Sequence, residues 1–246
     1  MPKSRFAPTS SRDRLAFALD VPTVGEAENL VRQTDGKVGV YKIGMELQFA
    51  GGLELARDLA AEGRKIFLDV KLHDIDTTIM KAVRNVAKMG VTFVTVHGYP
   101  KTMRAAVAGL AAEGNPDLCL LGVTVLTSMD EADLHAAGYR GPLADVVETR
   151  ARDARAAGMG GIVCAGTETE RLRPILGDEL VIVTPGIRPA GSAAGDQRRV
   201  MTPAEAMRTG SDYLVVGRPI SQAADPGAAA EAVIAEIDGA LEPVPA

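Results

Sequence analysis

The sequence contains no tryptophan and only two cysteines, and aromatic residues make up 4% of its 246 positions. No stretch reaches the roughly 20 consecutive apolar residues that a membrane-spanning helix needs, and the first residues lack the apolar segment of a signal peptide. No run of Lys and Arg is long enough to form a basic stripe, and the formal net charge is −5. We therefore expect a cytoplasmic protein that contacts neither membrane nor nucleic acid.

The few cysteines and histidines are not spaced for metal or redox chemistry. Cys119 and Cys164 each lie inside an apolar run, with no CxxC spacing and no adjacent histidine. His73 and His135 have no partner at the spacing of a metal site. The sequence predicts two buried thiols and no metal centre.

Short apolar runs recur along the whole chain and indicate its fold class. They are near-continuous in Val, Ile and Leu rather than alternating with polar residues, which is typical of parallel strands covered on both faces. The eight runs lie at 14–20, 38–44, 65–72, 92–98, 118–126, 161–166, 180–187 and 212–220.

Ala-rich segments with helical periodicity separate these runs, so strand and helix alternate eight times. This order predicts a single (β/α)8 TIM barrel over residues 1–246. An open doubly wound sheet is the alternative, although no GxGxxG follows the first strand. Residues 1–12 and 241–246 are predicted tails, and 188–203 a Gly/Ser/Ala-rich loop long enough to form a mobile lid.

Polar residues collect where the predicted strands end, which is where a TIM barrel carries its catalytic groups. Asp69 and Lys71 are two positions apart, so on a regular strand they point to one side, with Cα atoms roughly 6 to 7 Å apart. Lys42 on the neighbouring strand can reach the same place. Charges of alternating sign favour a catalytic group, and a structural ion network closing the barrel is the alternative.

Asp74, which follows the third strand, is predicted to point in a different direction from Asp69 and Lys71. Asp74 lies past the strand, where the chain turns outward, and it can point away from its own barrel. Asp76 directly precedes a helical segment and is the predicted N-cap of that helix.

The last two strands carry a signal for anion binding. "TPGIRP" and "VVGRPI" each place a glycine and an arginine at a strand end, and they bring Arg188, Gly217 and Arg218 to the loops that bind phosphate in this fold. We expect a phosphorylated small molecule as the ligand. Either arginine alone could instead be a solvated rim residue.

Eight segments together resemble the orotidine 5′-monophosphate decarboxylase family over nearly the whole chain. They are "LDV", "YKIG", "DVKLHDI", "VTVHG", "TVLTSM", "TPGIRP", "AGDQRR" and "VGRPI". The DxKxxD pattern alone occurs in a wider superfamily, whereas "TPGIRP", "GDQRR" and "GRPI" in that order are specific to the family. One departure is "DIDTT", where the family commonly has "DIPNT".

The resemblance implies decarboxylation of orotidine 5′-phosphate to UMP, in pyrimidine nucleotide synthesis, with no cofactor and no metal. It implies a catalytic tetrad of Lys42, Asp69, Lys71 and Asp74, in which Lys71 protonates a carbanion at C6 of the pyrimidine. It also implies a homodimer in which Asp74 and Thr78 reach the partner's site. The implied substrate-binding residues are Asp20, Lys42, Asp69, Thr78, Thr127, Arg188, Gln197, Gly217 and Arg218.

Two other functions are compatible with parts of this pattern. One is a Mg²⁺-dependent decarboxylase or aldolase acting on keto-sugar phosphates, which shares the DxKxxD strand. Lys42 disfavours it, because those relatives place an acidic metal ligand there and a lysine would repel the cation. The other is a catalytically silent barrel that only binds a nucleotide or sugar phosphate.

Overall fold

Eight parallel strands form a closed barrel in the computed structural model, which describes residues 3–189 and 201–242. Each strand pairs with the next along the chain, and the last pairs with the first. The TIM-barrel prediction is confirmed, and the open doubly wound sheet is wrong. The strands are β1 Leu15–Ala18, β2 Val40–Ile43, β3 Lys65–Leu72, β4 Phe93–His97, β5 Cys119–Val123, β6 Gly161–Val163, β7 Val181–Thr184 and β8 Tyr213–Val216.

Helices surround the barrel, and among the described residues none is long and apolar enough to cross a membrane. The cytoplasmic location stays a prediction. The helices are α1 Ser11–Arg14, α2 Val24–Gln33, α3 Met45–Leu47, a π-helical turn Gln48–Gly52, α4 Leu53–Ala61, α5 Asp76–Ala87, α6 Pro100–Glu113, α7 Glu131–Ala136, α8 Leu143–Ala157, α9 Gly166–Leu176, α10 Pro203–Arg208, α11 Arg218–Ser221 and α12 Pro226–Leu241.

The interior of the barrel is filled by side chains and contains a group of aromatic rings. The ring of Phe93 lies 6.0 Å from Phe67 and 5.0 Å from Tyr213, both in edge-to-face geometry. Side chains alternate across a strand, so the next inward position after Phe67 is Asp69 and the next after Phe93 is Thr95. The apolar interior therefore gives way to a polar layer at the carboxyl ends of β3 and β4.

A second, larger core lies between the barrel and the helices, and it explains why the strands are apolar on both faces. Cys119 belongs to the interior core and Cys164 to the outer one; both are fully buried and neither forms a disulfide. The prediction of two buried cysteines is confirmed. Burial raises the pKa of the Cys119 thiol well above its ordinary value.

The amino-terminal face of the barrel is held by polar contacts between the first residues of two strands and the chain that precedes β1. Nζ of Lys65, at the start of β3, lies 2.9 Å from Oδ1 of Asp13 in α1, and the hydroxyl of Thr9 donates to the same carboxylate at 2.6 Å. The hydroxyl of Tyr213 donates to the carbonyl of Phe6 at 2.6 Å. These contacts lie at the end of the barrel opposite the carboxyl ends of the strands. They therefore contribute to the stability of the fold.

Helix α5 begins differently from the sequence prediction. Its N-cap is Ile75, in an extended conformation and without a side-chain cap hydrogen bond, and Asp76 is the first helical residue. The prediction of Asp76 as N-cap is therefore wrong. Its carboxylate lies in the first turn, where it interacts favourably with the positive end of the helix dipole. It also lies 3.4 Å from Nζ of Lys101.

Candidate active site

A cavity of about 500 Å³ opens at the carboxyl ends of the strands. This end of a TIM barrel is where active sites are built, because the strand termini and the loops after them converge there. Eight of the eleven predicted site residues line the cavity: Asp20, Lys42, Asp69, Lys71, Thr127, Arg188, Gly217 and Arg218.

Asp69 lies between two lysines at one side of this cavity. Its Oδ2 is 2.8 Å from Nζ of Lys71 and 3.7 Å from Nζ of Lys42. The Lys42 ammonium also donates to Oδ1 of Asp20 at 2.9 Å. The four side chains thus form a chain of alternating charge, Asp20–Lys42–Asp69–Lys71, in which each buried charge has an opposite partner.

The charge on Asp69 is stabilised by its neighbours. Burial alone would raise the pKa of this carboxyl, but the positive charges of Lys42 and Lys71, with hydrogen bonds from Lys71 and Thr95, hold the pKa below its ordinary value. Asp69 is therefore ionised at neutral pH. It keeps the Lys71 ammonium in one place at the mouth of the cavity.

The backbone at Lys71 departs from the regular strand that the sequence predicts. The pairing of β3 with β4 shifts register between Leu68 and Leu72, and Lys71 has a φ of 49°. The two side chains do meet, but they do so across an irregular segment and not through simple alternation along a strand.

A second pair of cations lines another part of the cavity, at the ends of β7 and β8. Burial, together with the positive charge of Arg218, lowers the pKa of Arg188 from its ordinary value. Gly186 and Gly217 line the cavity beside these arginines. An anion bound beside these two guanidinium groups would offset the effect of Arg218 on Arg188.

Two predicted site residues, Asp74 and Thr78, do not line this cavity, and a third falls on residues that the structure does not describe. Asp74 and Thr78 are exposed on the loop after β3 and on α5. Asp74 instead accepts a hydrogen bond from the backbone N–H of Ile75 at 2.6 Å. Gln197, with most of the predicted lid at 188–203, lies outside the described residues.

Two polar residues that support the site were not predicted from the sequence. The hydroxyl of Thr95 donates to Oδ1 of Asp69 at 2.9 Å. The amide of Gln48 donates to the carbonyls of Ile43 at 2.9 Å and Asp69 at 3.2 Å, which ties the end of β2 to β3. The sequence signal that could have indicated Thr95 is a threonine between two valines in "VTVH". No sequence pattern indicates the role of Gln48.

Much of the remaining wall of the cavity is apolar. Val123, Val163 and Val215 line it from β5, β6 and β8, and Leu126 and Thr127 line it from the loop after β5. Among residues 3–189 and 201–242, no group of three or more His, Cys, Asp and Glu side chains is placed to hold a metal ion. The cavity thus combines a cationic anion site, an alternating charge chain and an apolar wall that suits a flat ring.

Comparisons with known proteins show the family to which this chain belongs. Residues 13–233 match the model of the family described as Orotidine 5′-phosphate decarboxylase / HUMPS. The chain is 56% identical over 233 residues to an orotidine 5′-phosphate decarboxylase of Rhodopseudomonas palustris (strain BisA53), with 95% of this chain and 98% of the relative covered. A second relative of that name, from Afipia carboxidovorans, is 56% identical over 230 residues, which cover 94% of this chain and 97% of that protein.

A solved structure shows the same likeness in three dimensions. The crystal structure of orotidine 5′-phosphate decarboxylase from Lactobacillus acidophilus superposes with a TM-score of 0.81 at 35% identity, covering 94% of this chain and 99% of that one. The chain belongs to the orotidine 5′-phosphate decarboxylase / HUMPS family.

Proposed function

We propose that this protein decarboxylates orotidine 5′-phosphate to UMP, in pyrimidine nucleotide synthesis, without a metal ion or organic cofactor. Two relatives that are 56% identical over 95% and 94% of the chain bear the name of that activity. The observation that carries the proposal is the ammonium of Lys71, held 2.8 Å from Asp69 in a cavity that also contains an arginine pair. A phosphate at the arginines and a pyrimidine at the lysine fit the two ends of the substrate.

The cavity residues divide the substrate between them. Arg188, Gly217 and Arg218 bind the phosphate through guanidinium and backbone N–H groups. Asp20 and Lys42, which are joined at 2.9 Å, bind the ribose hydroxyls. Thr127 contacts the pyrimidine, and Gln197 does so from a segment outside the described residues, a role that rests on the family resemblance.

Lys71 performs the chemical step. The bond between C6 and the carboxylate breaks, CO2 leaves, and the electron pair remains on C6 as a carbanion. The adjacent ammonium stabilises this charge because it is fixed in place before the reaction begins. It then gives its proton to C6 to form UMP, and the neutral amine regains a proton from water.

The phosphate lies far from the reacting carbon, yet its binding serves the reaction. Energy from contacts with Arg188 and Arg218 can be used to order the substrate and to exclude water around Lys71. A site with less water strengthens the field of the charge chain, so these remote contacts raise the rate as well as the affinity.

Lys42 favours this reaction over the magnesium-dependent chemistry of related barrels. Its ammonium lies 2.9 Å from Asp20 and 3.7 Å from Asp69, in the place where an acidic metal ligand would otherwise stand. A cation there repels Mg²⁺ and neutralises the carboxylates that would bind it.

Product analysis in D2O tests the proposal. Protein treated with EDTA should convert orotidine 5′-phosphate to UMP and CO2 in equal amounts, with deuterium at C6 of the product. Activity that appears only after Mg²⁺ is restored, or a product other than UMP, would contradict it. Binding of UMP without any turnover would favour the silent nucleotide-binding barrel.

The proposal includes a homodimer with two composite sites. Asp74 and Thr78 lie outside their own cavity, on an exposed surface. Large apolar side chains are exposed on the same end of the barrel: Met45 at 50%, Phe49 at 90%, Leu53 at 41% and Ile75 at 72%. We call these four residues the apolar rim. Such a group is typical of a surface that a second protein covers.

The position of the apolar rim agrees with this assembly. Ile75 follows Asp74 directly, and Phe49 follows Gln48, whose side chain contacts the end of β3. A two-fold axis beside these residues would bring Asp74 of each subunit to the other's cavity, since a symmetric dimer uses the same surface twice.

Mixed dimers test the composite site. Lys71→Ala and Asp74→Ala dimers should each be inactive, but a heterodimer of the two contains one intact site. Random assembly of equal amounts should therefore restore about one quarter of wild-type activity. If the mixture stays as inactive as its components, Asp74 does not act across a dimer interface.

The rim itself can be tested by light scattering. Phe49→Asp should shift the protein toward monomers because it places a charge in the buried interface. Leu241→Asp is the matched control, since Leu241 is 47% exposed at the end of α12 and should leave the assembly unchanged. A Phe49→Asp protein that remains a dimer at low micromolar concentration would exclude this surface.

A further inference from the structure

The segment that carries Asp69 and Lys71 is a bulge, and one residue of the neighbouring strand faces all of it. Leu68 pairs with Val94 and Leu72 pairs with Val96. Three residues of β3, numbered 69–71, therefore face a single residue of β4, which is Thr95. Bulges of this kind redirect side chains, and they occur often beside active sites.

Within this bulge, Lys71 adopts a backbone conformation that a side chain disfavours. Its φ of 49° is the only positive φ of a non-glycine residue among the described parts of the chain. Left-handed conformations bring Cβ close to the backbone, and they persist only where surrounding contacts hold them.

Thr95 makes the contacts that hold this conformation. Its side-chain hydroxyl accepts a hydrogen bond from the backbone N–H of Lys71 at 2.9 Å and donates one to Oδ1 of Asp69 at 2.9 Å. The residue is completely buried, so water cannot replace either bond. One hydroxyl thus joins the backbone of the proposed proton donor to the carboxylate that holds its ammonium.

We propose that Thr95 is a positioning residue for the decarboxylation, an inference that rests on the proposed function. It keeps the Lys71 backbone left-handed and the Asp69 carboxylate turned toward the ammonium, so that Nζ reaches C6 in one fixed direction. Thr95 lies on the side of Asp69 and not among the phosphate-binding residues. Its loss therefore affects the chemical step far more than substrate binding.

Substitutions of nearly equal size separate positioning from packing. Thr95→Val keeps the shape of the side chain and removes the hydroxyl, whereas Thr95→Ser keeps the hydroxyl and removes a methyl group. A residue that only fills the core would tolerate valine better than serine. A residue that acts through its hydroxyl shows the reverse order.

Steady-state kinetics of the three proteins test this inference. Misplacement of a catalytic group by about 1 Å can cost about 100-fold, so we expect Thr95→Val to lower kcat by about that factor with KM within about threefold of wild type. Thr95→Ser should retain kcat within about fivefold. A Thr95→Val kcat close to wild type, or equal losses in valine and serine variants, would overturn the inference.

Two further measurements keep the test independent of folding and of the reaction. Thr95→Ala also removes the hydroxyl without crowding the site, and it should show the same loss of kcat if the valine variant fails to fold. Amide hydrogen exchange at Lys71, measured without substrate, should accelerate in the alanine variant and stay slow in the serine variant. If wild-type protein shows no decarboxylation, the proposed function fails, and hydrogen exchange still decides the role of Thr95.

Discussion

The ammonium of Lys71 lies 2.8 Å from Oδ2 of Asp69, and we propose that the decarboxylation takes place at this end of the cavity. Asp69 is kept ionised by Lys42 as well as by Lys71, so the lysine faces a carboxylate and not a neutral acid. A lysine held in this way is a fixed positive charge with a proton to donate. The proposed mechanism depends on both properties.

Lys71→Ala should abolish decarboxylation and keep ligand binding. Because the variant loses the charge that stabilises the carbanion and the proton that traps it, kcat should fall by about 10⁴-fold or more. Calorimetric titration should give a UMP affinity within about tenfold of wild type, since the phosphate contacts remain. Lys88→Ala, on exposed surface at the end of α5, is the control and should keep full activity. Retained turnover in Lys71→Ala would exclude it as proton donor.

Arg218→Ala tests the anion site. Loss of the guanidinium removes phosphate contacts that also order the substrate, and we expect kcat/KM to fall by at least about 100-fold, about 2.7 kcal/mol, with an unchanged melting temperature. Arg208→Ala is the matched control, since Arg208 is exposed at the end of α10. Near-wild-type kcat/KM in Arg218→Ala would remove this arginine from the phosphate site.

Gly44→Ala should disturb ribose binding selectively. A Cβ at Gly44 would lie 2.6 Å from Oδ1 of Asp20 and 3.1 Å from Nζ of Lys42, so this ion pair must move. The backbone at Gly44, with a φ of −87°, accepts an alanine, and the fold should survive. We expect KM to rise by about tenfold with a smaller change in kcat.

Gly25→Ala is the control for this substitution. It lies inside α2 with nothing within 4 Å of the added Cβ. The alanine should leave KM unchanged and stabilise the helix by up to about 1 kcal/mol. Equal KM values for the two variants would show that Asp20 and Lys42 do not contact the substrate.

Asp13→Asn should change the acid stability of the protein and leave its activity intact. Burial alone would raise the pKa of Asp13, but hydrogen bonds from Thr9 and the charge of Lys65 lower it to about 2. Because the folded-state pKa lies below the unfolded one, the stabilisation is present above about pH 4 and disappears between about pH 4 and 2. Asp13→Asn should lower the free energy of unfolding by about 1 to 2 kcal/mol at pH 7. It should also weaken the dependence of that free energy on pH between about 4 and 2.

Chemical denaturation at several pH values measures this effect. Asp35→Asn is the control, because its ion pair with Arg64 lies on the surface and should contribute much less. A wild-type protein whose unfolding free energy does not change between pH 4 and 2 would contradict the assignment.

The sequence was sufficient to predict the barrel and most of the cavity. Catalytic groups at strand ends follow from the fold, and Asp69, Lys71 and Lys42 are charges that a buried strand rarely carries. The bounds of β3, Lys65–Leu72, match the predicted run. The family and the candidate site residues could be predicted because they depend on residue types in a fixed order along the chain.

The sequence could not predict how the backbone directs these groups. The bulge at 69–71 depends on pairing with β4, and nothing local requires Lys71 to be left-handed. Thr95 lies in a strand where a β-branched residue is ordinary, so its polar role was hidden. Strands that are apolar on both faces also conceal which residues, such as Val123 and Val163, face inward. Asp76 was wrongly predicted as the N-cap of α5 because the actual N-cap, Ile75, has no side chain that can cap a helix.

Absorbance measurements of the orotate chromophore, made side by side on EDTA-treated wild-type protein and Lys71→Ala, test the proposed reaction and the role of Lys71 together. We expect catalytic turnover of orotidine 5′-phosphate by the wild type and none above background by the variant, although both bind UMP. Equal turnover by the two proteins, or a wild-type protein that binds UMP and leaves the chromophore unchanged, would contradict this expectation.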